Sequence, residues 1–215
     1  MPCNCCQIEN DTFGEEQAKA DIRDYRRRGP ANQTKLILNA IRSLNLKEAA
    51  LLDVGGGIGA IHHELLKDVV RAATHVDASS AYLKEAKEEA ARRGHSEQVK
   101  FIHADFTDVA SDLPKADIVT LDRVVCCYPD FRRLLQAAAE HSQRALAFTY
   151  PRETWYMRVG LKVINFFQSL RRDPFRVFLH PISEMDSLLQ TEGFERVTLR
   201  RLFVWEMALY RRTMS

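Results

Sequence analysis

Residues 50–60 carry the sequence Ala-Leu-Leu-Asp-Val-Gly-Gly-Gly-Ile-Gly-Ala. The apolar run that ends at Asp53 predicts a short buried strand. The glycines that follow permit a tight turn in which the backbone can approach a ligand closely. Apolar residues then recur at helical spacing from Ile61 onward, so this stretch predicts a strand, a glycine turn and a helix.

A second acidic residue, Asp77, ends the next strand-like run, 18 residues after Gly59. A carboxylate at this distance can accept hydrogen bonds from the hydroxyls of a bound ribose, as in nicotinamide-binding proteins. The glycines are nevertheless one residue closer together than in the usual dinucleotide pattern, and an acid, Asp53, precedes them. A nicotinamide cofactor is therefore the alternative rather than the first choice.

Strand-like and helix-like runs alternate along the chain, which predicts an α/β fold with a doubly wound parallel sheet and helices on both faces. The carboxyl ends of parallel strands meet at one edge, where ligands bind. The predicted strands after the first end at Asp77, Asp105, Asp122 and Pro151, and Phe194–Arg200 with Phe203–Tyr210 form a closing pair. The predicted helices are Glu15–Arg28, Ala31–Leu44, residues 59–68, residues 80–93, Phe131–His141, Trp155–Leu170 and Ile182–Gln190.

The motif Asp-Val-Gly-Gly-Gly-Ile-Gly, followed by acids at the later strand ends, resembles the class I S-adenosylmethionine-dependent methyltransferases over about residues 30–150. The resemblance implies a Rossmann-like sheet, mostly parallel, with an antiparallel C-terminal strand. It implies S-adenosylmethionine as the cofactor and S-adenosylhomocysteine as the product. Gly56 stands where many relatives carry Cys or Ala, a difference that we expect to leave cofactor binding unaffected.

The resemblance also implies cofactor contacts at the first two strand ends. Asp77, followed by Ala78, corresponds to the acid that accepts hydrogen bonds from both ribose hydroxyls. The residues of the glycine motif would admit the methionine and ribose parts of the cofactor; these are Asp53, Gly55, Gly57 and Gly59.

Two further strand ends match the same family. Asp105 corresponds to the acid that receives the adenine amino group, and Phe106 would supply a backbone N–H and a flat apolar wall. Asp122 opens the segment Leu-Asp-Arg-Val-Val-Cys-Cys-Tyr-Pro-Asp, whose residues, with Tyr128 among them, would lie between cofactor and acceptor.

The chain after Pro151 is similar to the C-terminal part of the magnesium-protoporphyrin O-methyltransferases. The shared features include a strand that ends in Phe-Thr-Tyr-Pro, a long apolar helix, and an arginine-bearing stretch before Phe178-Leu179-His180. This similarity implies a large, flat, anionic acceptor. The favoured reaction is O-methylation of an aromatic or conjugated carboxylate by in-line displacement.

A carboxylate acceptor is ionised at neutral pH, so it needs cations to place it rather than a base. A phenol, amine or thiol acceptor would need a base, for which His180 or Tyr150 could serve. The predicted catalytic residues are thus Asp122, Tyr150 and His180. The predicted acceptor contacts are Tyr128, Arg152, Trp155, Arg158, Arg176 and His180.

The five cysteines form two clusters, Cys3/Cys5/Cys6 and Cys126/Cys127. Neither cluster has the paired Cys-x-x-Cys spacing of a zinc site, so we predict reduced thiols and no bound metal. A soft metal held by the thiols is the alternative.

Composition and charge restrict the partners. The formal net charge is +2 and no apolar run approaches the ~20 residues of a membrane span, so we expect a soluble cytoplasmic protein without a transmembrane segment. The aromatic helix Trp155–Leu170 has three possible roles: it could cover the site as a lid, pack in the core or touch a membrane surface peripherally. There is no motif for a flipped base and no long basic stripe, so we expect a small-molecule acceptor and no nucleic acid.

The chain is expected to have three parts, with an oligomeric state that the sequence leaves unknown. They are a flexible cysteine-bearing tail at residues 1–14, an N-terminal helical cap at 15–45, and a single methyltransferase domain at 46–215 with a lid or substrate segment at about 152–181. The arginine cluster Arg26–Arg28 at the end of the cap is either a solvated helix end or a substrate-facing group.

Three alternative functions stay open: a thiol or metalloid methyltransferase, a nicotinamide-dependent oxidoreductase, and a cofactor-binding protein without turnover.

Overall fold

The computed structural model describes residues 14–170 and 176–213, and their strands form one sheet. The strands are β1 (Ala49–Val54), β2 (Val70–Asp77), β3 (Val99–His103), β4 (Ala116–Leu121), β5 (Ser142–Pro151), β6 (Phe194–Arg201) and β7 (Trp205–Arg212). Their order across the sheet is β3-β2-β1-β4-β5-β7-β6. The first five strands are parallel to their neighbours, and β7 runs antiparallel between β5 and β6.

The helices of the described chain follow the predicted pattern closely. They are α1 (Glu15–Arg28), α2 (Asn32–Arg42), α3 (Ala60–Leu65), α4 (Ser80–Arg93), α5 (Phe106–Val109), α6 (Phe131–His141), α7 (Trp155–Leu170) and α8 (Ile182–Thr191). The doubly wound sheet and the antiparallel strand near the C-terminus are therefore confirmed.

Local signals in the sequence fix both ends of α4. The Ser79 hydroxyl accepts a hydrogen bond from the backbone N–H of Tyr82, which satisfies one of the free donors at the start of the helix. Gly94 ends the helix in the left-handed conformation, with a φ of 75°, which glycine adopts without steric cost.

Two apolar clusters hold the layers together because successive residues of each strand point to opposite faces of the sheet. On one face Leu52 belongs to a cluster that includes Leu134 of α6 and Met185 of α8. On the other face Leu51 belongs to a cluster that includes Ile37 of α2 and Leu65 of α3. Asp53 follows the alternation of Leu51 and so lies on the side of α2 and α3.

The closing hairpin differs slightly from its prediction. Its second strand begins at Trp205 rather than Phe203, because the N–H of Leu202 bonds to the carbonyl of Trp205 at 2.8 Å and leaves Phe203 in the turn.

The predicted thiol cluster Cys3/Cys5/Cys6 lies outside the described residues. No helix in the described ranges is long and apolar enough to span a bilayer.

Candidate functional site

The predicted acids meet at one edge of the sheet. Asp77 is the last residue of β2, Asp53 is near the end of β1, and Asp105 and Asp122 follow β3 and β4 within two residues. Strand β1 lies between β2 and β4, so the sheet reverses its winding direction at this edge. Such a reversal point is where ligands bind in open α/β sheets.

The glycine turn is tied to the end of β2. The N–H of Gly57 donates to Asp77 Oδ2 and the N–H of Ser79 donates to Asp77 Oδ1, both at 2.8 Å. Gly57 itself has a φ of 57°, a conformation that side-chain-bearing residues rarely adopt. Burial raises the pKa of the Asp77 carboxyl to about 6, although the two N–H groups act in the opposite direction.

Asp105 offers an unused acceptor. Its Oδ1 accepts hydrogen bonds from the Thr107 N–H at 2.9 Å and from the Tyr128 hydroxyl. Its Oδ2 is buried and has no hydrogen-bond partner among the described residues. A buried acceptor without a partner is costly, so Asp105 fits a ligand that brings an N–H, such as the adenine amino group. Phe106 is buried directly beside it.

Asp122 joins the cap to the sheet. The hydroxyl of Thr34 on α2 donates to its Oδ2 at 2.5 Å, and the hydroxyl of Thr149 on β5 donates to its Oδ1 at 2.6 Å. The carboxylate is thus held in one orientation at the border of the cavity described next.

A cavity of about 380 Å³ lies between the glycine turn and helices α1 and α2. It is lined by the cap residues Asp21, Asp24, Tyr25, Arg28, Gly29, Pro30, Ala31, Asn32, Thr34 and Lys35 and by Asp53, Gly55, Gly56, Gly57, Ile58, Ala60, Ile61, Tyr82, Asp122 and Arg123. The predicted contacts Asp53, Gly55, Gly57 and Asp122 are therefore brought together at one cavity. Gly59, Asp77, Ala78, Asp105 and Phe106 lie outside its described lining.

Two residues predicted for acceptor or catalysis are engaged elsewhere. The Tyr150 hydroxyl donates to Glu206 Oε2 at 2.9 Å, and burial raises the pKa of this phenol above its ordinary value. Arg152 lies 3.6 Å from the Glu206 carboxylate. Neither residue is among the described residues that line the cavity, and a phenol with a raised pKa is a poor base at neutral pH.

The other predicted acceptor contacts also lie away from the cavity. His180 Nε2 donates to the Tyr128 carbonyl at 2.9 Å, and burial lowers the pKa of this imidazole. Arg158 pairs with Glu153, and Trp155 is 77% exposed on α7. Arg176 is half-buried at the start of the second described range.

Three cations that line the cavity were not among the predicted site residues. Arg28 ends α1, Lys35 lies on α2, and Arg123 follows β4 with a φ of 64°. None of the three forms an ion pair with an acid in residues 14–170 or 176–213, in contrast to Arg152 and Arg158. The arginine run before Gly29-Pro30 was the available signal for Arg28.

Sequence reasoning also missed a buried histidine cluster beside the glycine turn. His62, His63 and His75 are buried, and each has an Nε2 atom without a hydrogen-bond partner among the described residues. Burial lowers the pKa of His62 and His75 to about 3 and that of His63 to about 2. All three imidazoles are therefore neutral at pH 7.

One family model matches part of the sequence, and solved structures match the fold. Residues 51–144 match the family model for a methyltransferase domain. Magnesium protoporphyrin IX methyltransferase from Synechocystis PCC 6803 with bound SAH is 18% identical, with a TM-score of 0.76 over 96% of this chain and 99% of that chain. No curated protein sequence matches this chain.

Two other solved structures show how widely the fold is used. An O-methyltransferase family 2 protein from Planctomyces limnophilus in complex with apigenin is 18% identical, with a TM-score of 0.67 over 93% of this chain and 62% of that chain. The [4+2]-cyclase SpnF is 15% identical, with a TM-score of 0.64 over 85% of this chain and 81% of that chain. Residues 51–144 thus match a methyltransferase domain, and the fold of the chain is the one seen in solved methyltransferase structures. One fold serves several activities, so the methyl acceptor of this chain depends on the residues of its own site.

Proposed function

We propose that the protein transfers the methyl group of S-adenosylmethionine to an oxygen of a carboxylate on an aromatic or conjugated small molecule. The observation that carries this proposal is the composition of the cavity wall: it offers cations and carboxylates, and no histidine is among its described residues. A carboxylate acceptor is ionised near pH 7 and needs no base.

The tyrosines of the cavity wall are not available as bases either. The Tyr25 hydroxyl donates to Glu64 at 2.8 Å, and the Tyr82 hydroxyl donates to Asp21 at 2.6 Å. Burial raises the pKa of both phenols above their ordinary value. An acceptor that must lose a proton, such as a phenol or an amine, is therefore less well served than one that is already an anion.

Arg28, Lys35 and Arg123 are proposed to hold the carboxylates that enter the cavity. All three residues are exposed and line the cavity. A guanidinium can bind a carboxylate through two parallel N–H groups and so fix its orientation. These three residues replace Arg152 and Arg158 in the proposal, because those two already face Glu206 and Glu153.

The cofactor contacts are proposed as the resemblance implies. Asp77 would accept the ribose hydroxyls, and the unpaired Oδ2 of Asp105 would accept the adenine amino group. Gly55 and Gly57 would allow the backbone to approach the ligand, and Asp122 would stand at the border with the acceptor.

S-adenosylmethionine supplies a methyl group whose bond to sulfur breaks, with the electron pair passing to sulfur, as an acceptor oxygen forms its own bond to the methyl carbon. The residues of this chain have to hold that oxygen in line and exclude water. No proton moves when the acceptor is a carboxylate. Arg28, Lys35 and Arg123 would thus contribute by position and charge alone.

The acceptor class is supported by the name of the relative with which nearly the whole chain aligns, a magnesium protoporphyrin IX methyltransferase. A second support is the exposed apolar surface of α7, where Trp155 is 77% and Val159 54% exposed. The carboxylate groups of a flat apolar acceptor would complement the cations of the cavity. Helix α7 lies outside the described cavity lining and would contact only the part of the acceptor that extends beyond it.

The test is a methyl-transfer assay with purified protein and S-adenosylmethionine. Magnesium protoporphyrin IX, metal-free protoporphyrin IX and simple aromatic carboxylic acids are offered with matched phenols, amines and thiols. We expect S-adenosylhomocysteine to form with a carboxylic acid, and mass spectrometry to identify a methyl ester that mild alkali hydrolyses. Turnover confined to thiols, phenols or amines would overturn the carboxylate proposal, and binding without turnover in any class would favour a non-catalytic role.

A further inference from the structure

Beneath the glycine turn, Asp53 meets two buried histidines, His62 and His75, that have no part in the proposed function. Asp53 on β1 lies in register with His75 on β2 and with Thr120 on β4, so their side chains meet on one face of the sheet. Helix α3 covers that face and brings His62 against them. Asp53, His62 and His75 are all fully buried.

The distances among these three side chains suit a small metal ion. His62 Nδ1 lies 3.1 Å from Asp53 Oδ2 and 3.3 Å from His75 Nδ1. One potential ligand atom from each residue lies within 4.8 Å of the others. Tetrahedral zinc with bonds of about 2.0–2.1 Å sets its ligand atoms roughly 3.3–3.4 Å apart. The two measured separations are thus close to the edges of one tetrahedral face.

The ring nitrogens of His62 and His75 suit metal ligation as well. A metal binds a neutral imidazole through the lone pair of a ring nitrogen. The two Nδ1 atoms face each other at 3.3 Å, where at most one proton can lie between them. A cation at this point would accept both lone pairs.

The surroundings keep the position open and orient one ligand. Thr120 donates to Asp53 Oδ1 at 2.8 Å, which leaves Oδ2 turned toward the histidines. A Cβ at Gly56 would lie 2.7 Å from His75 Nδ1 and 2.8 Å from Asp53 Oδ2. The absence of a side chain at Gly56 therefore keeps space beside two of the three ligand atoms.

We infer that Asp53, His62 and His75 form a binding site for one divalent transition-metal ion, with Zn²⁺ as the best chemical match to an Asp-His-His donor set. The ion would lie between the sheet and the glycine turn, and Asp53 and Gly56 also line the cavity, which gives it a route of entry. Its role would be structural, holding the turn onto β1 and β2.

The site differs from most zinc sites in its outer hydrogen bonds. The Nε2 atoms of His62 and His75 have no partner among the described residues, whereas zinc-bound histidines usually donate this second N–H. Loss of such outer partners typically weakens metal affinity about 10–100-fold. We therefore expect zinc binding weaker than that of a complete structural site.

The test uses the full-length protein, stripped with a chelator and titrated with Co²⁺ as a spectroscopic substitute for Zn²⁺. We expect one Co²⁺ per chain, visible d–d absorption typical of tetrahedral nitrogen and oxygen ligation, no thiolate-to-metal charge-transfer band, and displacement by Zn²⁺. Zn²⁺ should also raise the melting temperature of the stripped protein. Absence of Co²⁺ uptake would overturn the inference irrespective of any variant.

Variants then locate the ion. His62→Gln and His75→Gln should each weaken Co²⁺ binding at least a hundredfold, whereas His95→Gln, a neighbour that contacts His63 but none of the three ligands, should leave it unchanged. The combined substitution Cys3→Ser, Cys5→Ser and Cys6→Ser should also leave it unchanged. Loss of binding in the cysteine variant, or a charge-transfer band in the unaltered protein, would place the metal at the thiols and refute the proposed site. These readouts do not depend on methyl transfer, so they stand apart from the acceptor assay.

Discussion

At the scale of a single residue, Asp77 has one observed role and one proposed role. Its oxygens each accept one backbone N–H, from Gly57 and Ser79, which joins the glycine turn to β2. Each oxygen retains a second lone pair, so the same carboxylate can accept the ribose hydroxyls of the cofactor. The residue therefore links the shape of the turn to the presence of ligand.

Asp77→Ala should weaken the binding of S-adenosylhomocysteine at least about thirtyfold, or ~2 kcal/mol, because the ribose hydroxyls lose a charged acceptor. Calorimetric titration of the folded variant measures the change. Asp112→Ala is the matched control, since that acid is exposed and precedes β4, at the other end of the strand from Asp122. Equal affinities for the Asp77 variant and the unaltered protein would refute the assignment.

The raised pKa of Asp77 gives the binding a pH dependence. Because its folded-state pKa is about 6, most of the carboxyl is protonated at pH 5 and ionised at pH 8. Only the ionised form accepts two hydroxyl protons, so S-adenosylhomocysteine should bind about tenfold more weakly at pH 5 than at pH 8. His62 and His75 do not titrate in this window, since their pKa values are near 3.

The same pKa fixes the sign of the effect on folding. The folded state holds this proton up to a higher pH than the unfolded chain does, so the contribution of Asp77 to stability falls as the pH rises from about 4 to 6.

Asp77→Asn should flatten the pH profile of cofactor binding. A profile that keeps its slope in this variant would assign the titration to another group.

Substitution by Ala should have opposite effects on stability at Gly56 and at Gly160. Gly56→Ala would put a methyl group 2.7 Å from the His75 ring and should destabilise the protein by about 1–3 kcal/mol. Gly160 lies inside α7, where an added methyl group would meet no neighbouring atom within 4 Å, so Gly160→Ala should stabilise by roughly 0.5–1 kcal/mol. Urea denaturation of both variants measures the difference, and equal midpoints would contradict the packing described under the turn.

The sequence expectation for Gly56 missed this packing for a physical reason. The tight contact depends on His75, which is 19 positions further along the chain and reaches Gly56 only through the pairing of β1 with β2. A motif describes residues adjacent in sequence. The neighbours across the sheet that decide whether a methyl group fits are set by the fold.

At the scale of elements, polar links join α1 to α4, in addition to the buried side chains of Ala18, Ile22 and Tyr25. Arg26 donates to Glu89 on α4 at 2.9 Å, and Arg92 and Arg93 donate to the same carboxylate, whose side chain is fully buried. The Tyr82 hydroxyl on α4 adds a link to Asp21 on α1. These bonds hold α1 beside the cavity.

Glu89→Ala should therefore destabilise the protein by about 2–3 kcal/mol, somewhat less than a fully enclosed ion pair, because Arg26 and Arg92 are partly solvated. The substitution should also weaken cofactor binding, because α1 would lose its bond to Glu89 and shift. Glu88→Ala, at an exposed position of the same helix, should change stability by no more than about 0.5 kcal/mol. Chemical denaturation and calorimetry measure both effects, and matching values for the two variants would mean that Glu89 does not hold α1.

Elements were predictable and their mutual contacts were not. Helix α6 and strand β4 have the bounds that periodicity and flanking residues indicate, because those signals are local. Tyr150 was correctly placed on β5, but its partner Glu206 lies 56 residues away on β7. Likewise Arg28 and Lys35 reach the cavity because of the way the first two helices cover the glycine turn, which no spacing in the sequence reveals.

At the scale of the whole molecule, the proposed cofactor would contact both the sheet and the N-terminal helices. A ligand held by the ends of β2 and β3 and by the glycine turn, under α1 and α2, contacts both the sheet and the cap. Binding to the folded state alone stabilises it by about 2.7 kcal/mol at a ligand concentration of 100 times Kd.

For a chain of 215 residues this gain should raise the melting temperature by about 5–10 °C. S-adenosylmethionine and S-adenosylhomocysteine should both produce the shift at saturating concentration, and NADH should not, because the glycine turn lacks the spacing that cradles a pyrophosphate. Asp77→Ala should reduce the shift to about a third at the same concentrations, because a thirtyfold loss of affinity leaves the ligand at about 3 times Kd. Asp112→Ala should retain the full shift. A thermal scan with each ligand measures these shifts. A shift with NADH alone would mean that the turn binds a dinucleotide. The cofactor contacts proposed at Asp77 and Asp105 would then have to be reassigned.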